Sequence, residues 1–195
     1  DNVAIGSDAL LSATTASRNI AIGQGTLDAN IESNNNIAIG DRALSAYTGS
    51  SVSGLNVAVG IASGLTLTSG YDNTFVGSSS ATYMTTSYRN VALGKEAAYN
   101  ATSSSNENVV IGWQALRGAS SYSDSSQNVA IGPQSMYGVS GFEFGNVAIG
   151  YRTLYDINNG DYNVAMGYSA LENSTNAIYN VAIGYQAGLS TTTGS

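Results

Sequence analysis

The chain has no cysteine, no histidine and a single proline, Pro133, among its 195 residues. Disulfide staples and thiol chemistry are therefore excluded, and the usual side-chain ligands of transition metals are missing. Charge is also scarce. Only 10% of residues are charged against 43% hydrophobic, so the chain is neither a disordered polyelectrolyte nor a charged coiled coil. Six Lys and Arg within a net charge of -7 provide no basic footprint for phosphate, which excludes nucleic acid as a partner. No apolar run approaches the length of a membrane-spanning helix, so membrane insertion is not expected.

The same shortages bear on catalysis. Acid–base or nucleophilic chemistry needs titratable groups that converge, and Asp8, Asp28, Asp41, Glu96 and Glu172 are scattered singly. No catalytic residue, metal ligand or cofactor is expected. The acidic column of calcium-binding β-rolls is absent, and Thr66-Leu67-Thr68 is too isolated to make a flat threonine ladder.

What the chain does contain is a repeat. The run Asn2-Val3-Ala4-Ile5-Gly6 recurs with its Asn at Asn19, Asn36, Asn56, Asn73, Asn90, Asn108, Asn128, Asn146, Asn163 and Asn180. The matching glycines are Gly23, Gly40, Gly60, Gly77, Gly94, Gly112, Gly132, Gly150, Gly167 and Gly184. Successive Asn residues lie 17, 17, 20, 17, 17, 18, 20, 18, 17 and 17 apart. Three residues after each Gly stands a small side chain, and the next is usually Leu or Met, as at Leu27, Leu44, Met136 and Leu154. The remainder of each unit is rich in Ser, Thr, Asn, Gly and Tyr and absorbs the length variation, which marks it as loop.

Units of this length are too short for a helix pair or a propeller blade. Val-Ala-Ile is short, partly β-branched and bounded by Asn and Gly, so it reads as a strand. The expected fold is all-β: a parallel β-solenoid, or β-roll, of eleven coils of 17–20 residues, with residues 1-195 forming one array. Strands stacked in register about 4.8 Å apart would give a rod of roughly 50 Å. Stacked Asn amides would then hydrogen-bond along the rod. The Gly column would turn a corner that needs positive φ or close backbone approach.

Period-two alternation places Val3 and Ile5 on one face of the strand and Ala4 on the other. The central residue is also Ala at Ala21, Ala38, Ala58, Ala92, Ala130, Ala148, Ala165 and Ala182, with Phe75 and Val110 elsewhere. A strand apolar on both faces is buried on both. One expectation sends Val and Ile into the coil's own core and presents the Ala column to another chain, giving a homo-oligomer. On that expectation Ala148→Lys would disrupt assembly and Ser123→Lys, in a loop, would not. The alternative is a flat, wide coil in which a second layer of the same chain covers the Ala face. Joining Ser195 to Asp1 would preserve a spacing of 17, so a longer array, or head-to-tail stacking of copies, is also expected.

Asn163-Val164-Ala165-Met166-Gly167-Tyr168-Ser169-Ala170 resembles the head repeat of YadA-like trimeric autotransporter adhesins. Asn180 to Ala187 is similar to the Asn-Val-Ala-Ile-Gly-Tyr-Gln-Ala arrays of bacteriophage tail-fibre proteins. The resemblance covers all eleven units, although these are longer than those of the adhesin head. It implies a left-handed parallel β-roll, a homotrimer around one axis, and an extracellular, cell-surface or virion location. It also implies an adhesive head or fibre shaft that meets a glycan or protein receptor through its variable loops. The competing expectation is a purely structural extracellular filament assembled head to tail.

Thirteen tyrosines and one tryptophan supply the candidate binding surface. Trp113, Tyr151, Tyr168 and Tyr185 directly follow the motif Gly, where a ring with a polar tip suits sugar or protein contacts. The same residues would equally form a stacked ladder that stiffens the rod. Asn100-Ala101-Thr102 and Asn173-Ser174-Thr175 match the N-glycosylation pattern, as chance allows in so Asn-rich a chain.

Overall fold

A computed structural model describes residues 1–49, 54–103, 105–119 and 124–191. Ser123 and the terminal Gly194-Ser195 fall outside the described residues. Among the described residues eleven three-residue strands follow one another: β1 Val3–Ile5, β2 Ile20–Ile22, β3 Ile37–Ile39, β4 Val57–Val59, β5 Thr74–Val76 and β6 Val91–Leu93. They continue as β7 Val109–Ile111, β8 Val129–Ile131, β9 Val147–Ile149, β10 Val164–Met166 and β11 Val181–Ile183. All pair in parallel, in sequence order, within one sheet, so the molecule is an all-β solenoid. Every motif aligns with the next, Val3 on Ile20 and Ala4 on Ala21, whatever the length of the intervening loop.

The Asn column holds this register in two ways. The side-chain oxygen of each Asn accepts both the backbone and the amide N–H of the next; for Asn19 these reach Asn2 Oδ1 at 2.9 and 3.3 Å. The pattern runs unbroken to Asn180, which donates to Asn163 at 3.0 and 3.1 Å. The same amide also closes its own coil: Asn73 Nδ2 donates to the Ser87 carbonyl at 2.8 Å and Asn163 Nδ2 to that of Ala177 at 2.7 Å. A buried amide thus has its polar atoms satisfied, which is what allows it to stand in the interior.

The motif glycines turn the corner at φ between +125° and +138°. A Cβ on Gly23 would lie 2.6 Å from the Gly40 carbonyl oxygen, so both conformation and space require glycine. Beyond it the backbone is left-handed at non-glycine residues too, for example Arg42 and Leu44, both at φ 52°. Such a conformation costs about 1–2 kcal/mol per residue. It is offset because alternating handedness aims successive N–H groups up and down the rod. Arg42 N donates back to Gln24 O at 2.8 Å, and Leu44 N donates forward to Ser63 O at 3.0 Å.

The core corrects the expected orientation of the strand. The central residues Ala21, Ala38, Ala58, Ala92, Ala130, Ala148 and Ala165 are fully buried within their own chain, and Ala182 nearly so. Ala4 alone is exposed, in the first coil. They pack in one cluster with Leu27, Leu44, Met136 and Leu154 from the opposite wall, so these alanines are not available as a chain–chain contact. The flat coil covered by a second layer of the same chain is the arrangement observed. The reason is geometric: coils this thin leave room for Ala facing Leu, whereas two β-branched side chains per strand would overfill the interior. Where the opposite wall shrinks, the strand grows. Phe75 replaces Ala beside Gly64, whose added Cβ would meet the Phe75 ring at 3.0 Å.

Candidate interaction surface

With Ala turned inward, Val and Ile point outward. Two side chains from each of eleven strands form two parallel columns along the sheet, and Thr74 is the one polar member. In β2 to β4 and β6 to β9 these residues are half-buried by their neighbours in the column. Val76, Met166, Val181 and Ile183 are exposed. Threonine has the shape of valine and the same liking for strands, so a face meant for water could have used it throughout. A contiguous apolar face of this length is what interaction surfaces show.

The candidate aromatics stand beside that face, in the column immediately after Gly. Tyr151, Tyr168 and Tyr185 stack successively at 5.1 and 5.3 Å between ring centroids, all exposed. Trp113 occupies the same column two coils earlier, with exposed Pro133 between. On the other flank Tyr162 and Tyr179 stack at 5.3 Å. The structure therefore joins Tyr151, Tyr168 and Tyr185 into one ladder, with Trp113 on its line but not in contact. In the first three coils this column is polar, with Ser7, Gln24 and Asp41.

A second ladder, not foreseen from the sequence, lies five residues past the Gly. Arg117 sits between the rings of Tyr99 and Tyr137, at 5.2 and 5.5 Å, and Tyr137 stacks on Tyr155 at 5.0 Å. Arg152 covers Tyr155 at 4.0 Å and pairs with Glu172 at 2.6 Å. Arg117 also reaches Glu96 at 3.3 Å; hydrogen bonding from Gln114, then from Arg117, holds the Glu96 carboxyl below its ordinary range. Reading the fifth column in register would have shown Tyr99, Arg117, Tyr137 and Tyr155 in succession.

Glu143 was also missed. It is fully buried three residues before Asn146, where other units carry Ala16, Ser33, Gly70 or Ser87. Its carboxylate accepts from Ser125 Oγ at 3.0 Å and from the backbone amides of Gly141 and Asn159 at 3.0 and 3.1 Å. Burial raises its pKa, and these three hydrogen bonds oppose the rise. A large acidic residue in a column of small ones was the available signal.

On the loop edge, away from any strand, an open groove of about 450 Å³ runs across several coils between Tyr83 and Phe142. Among the described residues no three His, Cys, Asp or Glu side chains are grouped to hold a metal ion. No family model matches the chain, and searches of curated proteins and of solved structures likewise find no match.

Proposed function

We propose that the chain is a segment of an extracellular fibre, of the adhesin-head or tail-fibre kind that its repeat resembles. Copies pack side by side through the Val/Ile face, as a trimer about one axis, and present their loops to a cell or virion surface. The observation that carries this reading is the outward pair of apolar columns, interrupted by polarity only at Thr74. Removal of such a face from water favours association at roughly 25 cal/mol per Å². Another copy, with the same spacing between strands, matches the columns coil for coil, which a globular partner does not.

Light scattering across a dilution series tests the reading. The expected mass is a multiple of the chain, reduced to one chain by Ile131→Lys together with Ile149→Lys, with the β-sheet signal retained. A wild-type mass of one chain at every concentration would sink it.

A further inference from the structure

The groove on the loop edge has a chemistry different from that of the apolar face. Tyr83 and Phe142 border it, 41% and 69% exposed, and among the described residues Phe142 stacks on no other ring. The lining also includes Thr66, from the coil before that of Tyr83, Thr85 from the coil of Tyr83 itself, and Thr102 and Ser103 from the next coil. Asp124 completes the wall and accepts a hydrogen bond from Thr102 Oγ1.

We infer that this groove binds an uncharged oligosaccharide. A pyranose has apolar C–H faces and a rim of hydroxyls, and the groove offers the complement of both. Rings with exposed faces cover the apolar side, as amphipathic aromatics do at wet interfaces. The Thr66 and Thr102 hydroxyls donate within the chain, to the Thr82 carbonyl and to Asp124, and so meet the rim as acceptors. With the Thr85 and Ser103 hydroxyls and the Asp124 carboxylate they supply the few placed polar groups that such sites carry among apolar surface. The hydroxyls recur from coil to coil, so the groove runs along the rod and suits a linear chain of several sugars better than a single one. Charge narrows the class. Among the described lining residues the one ionised side chain is the Asp124 carboxylate, and the protein carries -7 overall, so a uronate- or sialate-bearing chain would be repelled. Peptide occupants are less well served, since the described lining residues offer no strand edge for backbone pairing.

This inference rests on the adhesive part of the reading above, but not on the Val/Ile face, because none of the described lining residues belongs to a strand. The test is saturation-transfer NMR on the full chain with linear tetrasaccharides of glucose, galactose, mannose and N-acetylglucosamine, and with a galacturonate tetramer. At least one neutral tetramer is expected to bind, and the galacturonate tetramer is not. Phe142→Ala and Tyr83→Ala should each weaken binding by about tenfold or more, as truncating a central aromatic anchor does. Tyr185→Ala, on the other ladder, should leave affinity unchanged. Absence of binding by all four neutral tetramers overturns the inference, as does binding that survives both groove substitutions or binding of galacturonate alone. Oligomeric mass, measured on the same samples, reports separately whether the side-by-side assembly has failed.

Discussion

At the scale of single residues, the buried polar groups make the sharpest demands. Asn128 accepts two hydrogen bonds from Asn146, at 2.9 and 3.1 Å, and donates to Asn108 and to the Glu143 carbonyl. Asn128→Ala leaves donors of Asn146 and acceptors of its neighbours buried without partners, at about 1–3 kcal/mol each. Hydrogen exchange should show lost protection in the coils around β8 before those at a distance, because repeat arrays lose stability locally. Uniform loss along the rod would contradict that picture.

Glu143 behaves differently, since its site disfavours the charge it carries. Its folded pKa is raised by burial, so the protonated form is the better fit: stability is full below the unfolded pKa and declines as pH rises through the folded one. Glu143→Gln keeps an oxygen for the amides of Gly141 and Asn159, while the Ser125 hydroxyl can rotate to accept from the new amide. The substitution should stabilise the protein at neutral pH, because it removes the desolvation penalty of the buried charge while keeping the contacts of the side-chain oxygen. The gain should vanish near pH 4. Denaturant melts of both forms at the two pH values check it, and equal stability at pH 7 would count against a strained carboxylate.

At the scale of the element, each coil is a thin sandwich whose two walls trade volume. Phe75→Ala opens a cavity and should cost about 3–5 kcal/mol. Gly64→Leu alone should destabilise as well, because a Cβ there meets the Leu44 Cδ2 methyl at 2.8 Å and the Phe75 ring at 3.0 Å, and only the flexible end of Leu44 can give way. Together the two rebuild the Ala-facing-Leu pair of neighbouring coils, and Leu is already tolerated at that left-handed position in Leu44 and Leu154. A double-mutant cycle should therefore give a favourable coupling, within the usual 0.5–3 kcal/mol for touching residues. Additive costs would show that the walls do not communicate.

The strand's two faces make the second test at this scale. Ala148→Lys places a charge in a dry core and should unfold the local coils, at a cost above about 4 kcal/mol. Ile149→Lys, one residue on, points outward and should leave the coil intact while opposing association. Circular dichroism with light scattering separates the two outcomes. Equal unfolding by both variants would mean that the outward face is closed within one chain.

At the scale of the whole molecule, the rod is uneven along its length. The column after Gly is polar in the first three coils and carries Trp113, Pro133, Tyr151, Tyr168 and Tyr185 in the last five, and the cation–π ladder from Tyr99 to Tyr155 runs over coils six to nine. Arg117 ties three coils together through two rings and Glu96. Arg117→Ala should lower stability in coils six to eight by about 1–2 kcal/mol and leave the first coils unchanged. Hydrogen exchange resolved by segment measures this, and protection lost equally in the first three coils would refute it.

Much of this architecture was legible from spacing alone. Eleven Asn-to-Gly motifs at nearly constant intervals demand stacked coils, because only in-register stacking gives the same residue the same neighbour each time. The repeat itself assigns Asn and Gly their work, since a buried amide ladder and a positive-φ corner are local necessities. Which face of the strand looks inward was not decided locally. Val, Ala and Ile are all apolar, and period two says only that Ala opposes the others. That choice depends on the distance between the two walls of the coil, which is set by Leu and Met across the core, and it placed Ala inside and Val and Ile outside. The Glu143 nest, the Tyr99–Arg117–Tyr137 ladder and the groove from Tyr83 to Phe142 were likewise settled by tertiary structure. Each joins residues from different coils across loops of unequal length, and only the folded path of those loops brings them together.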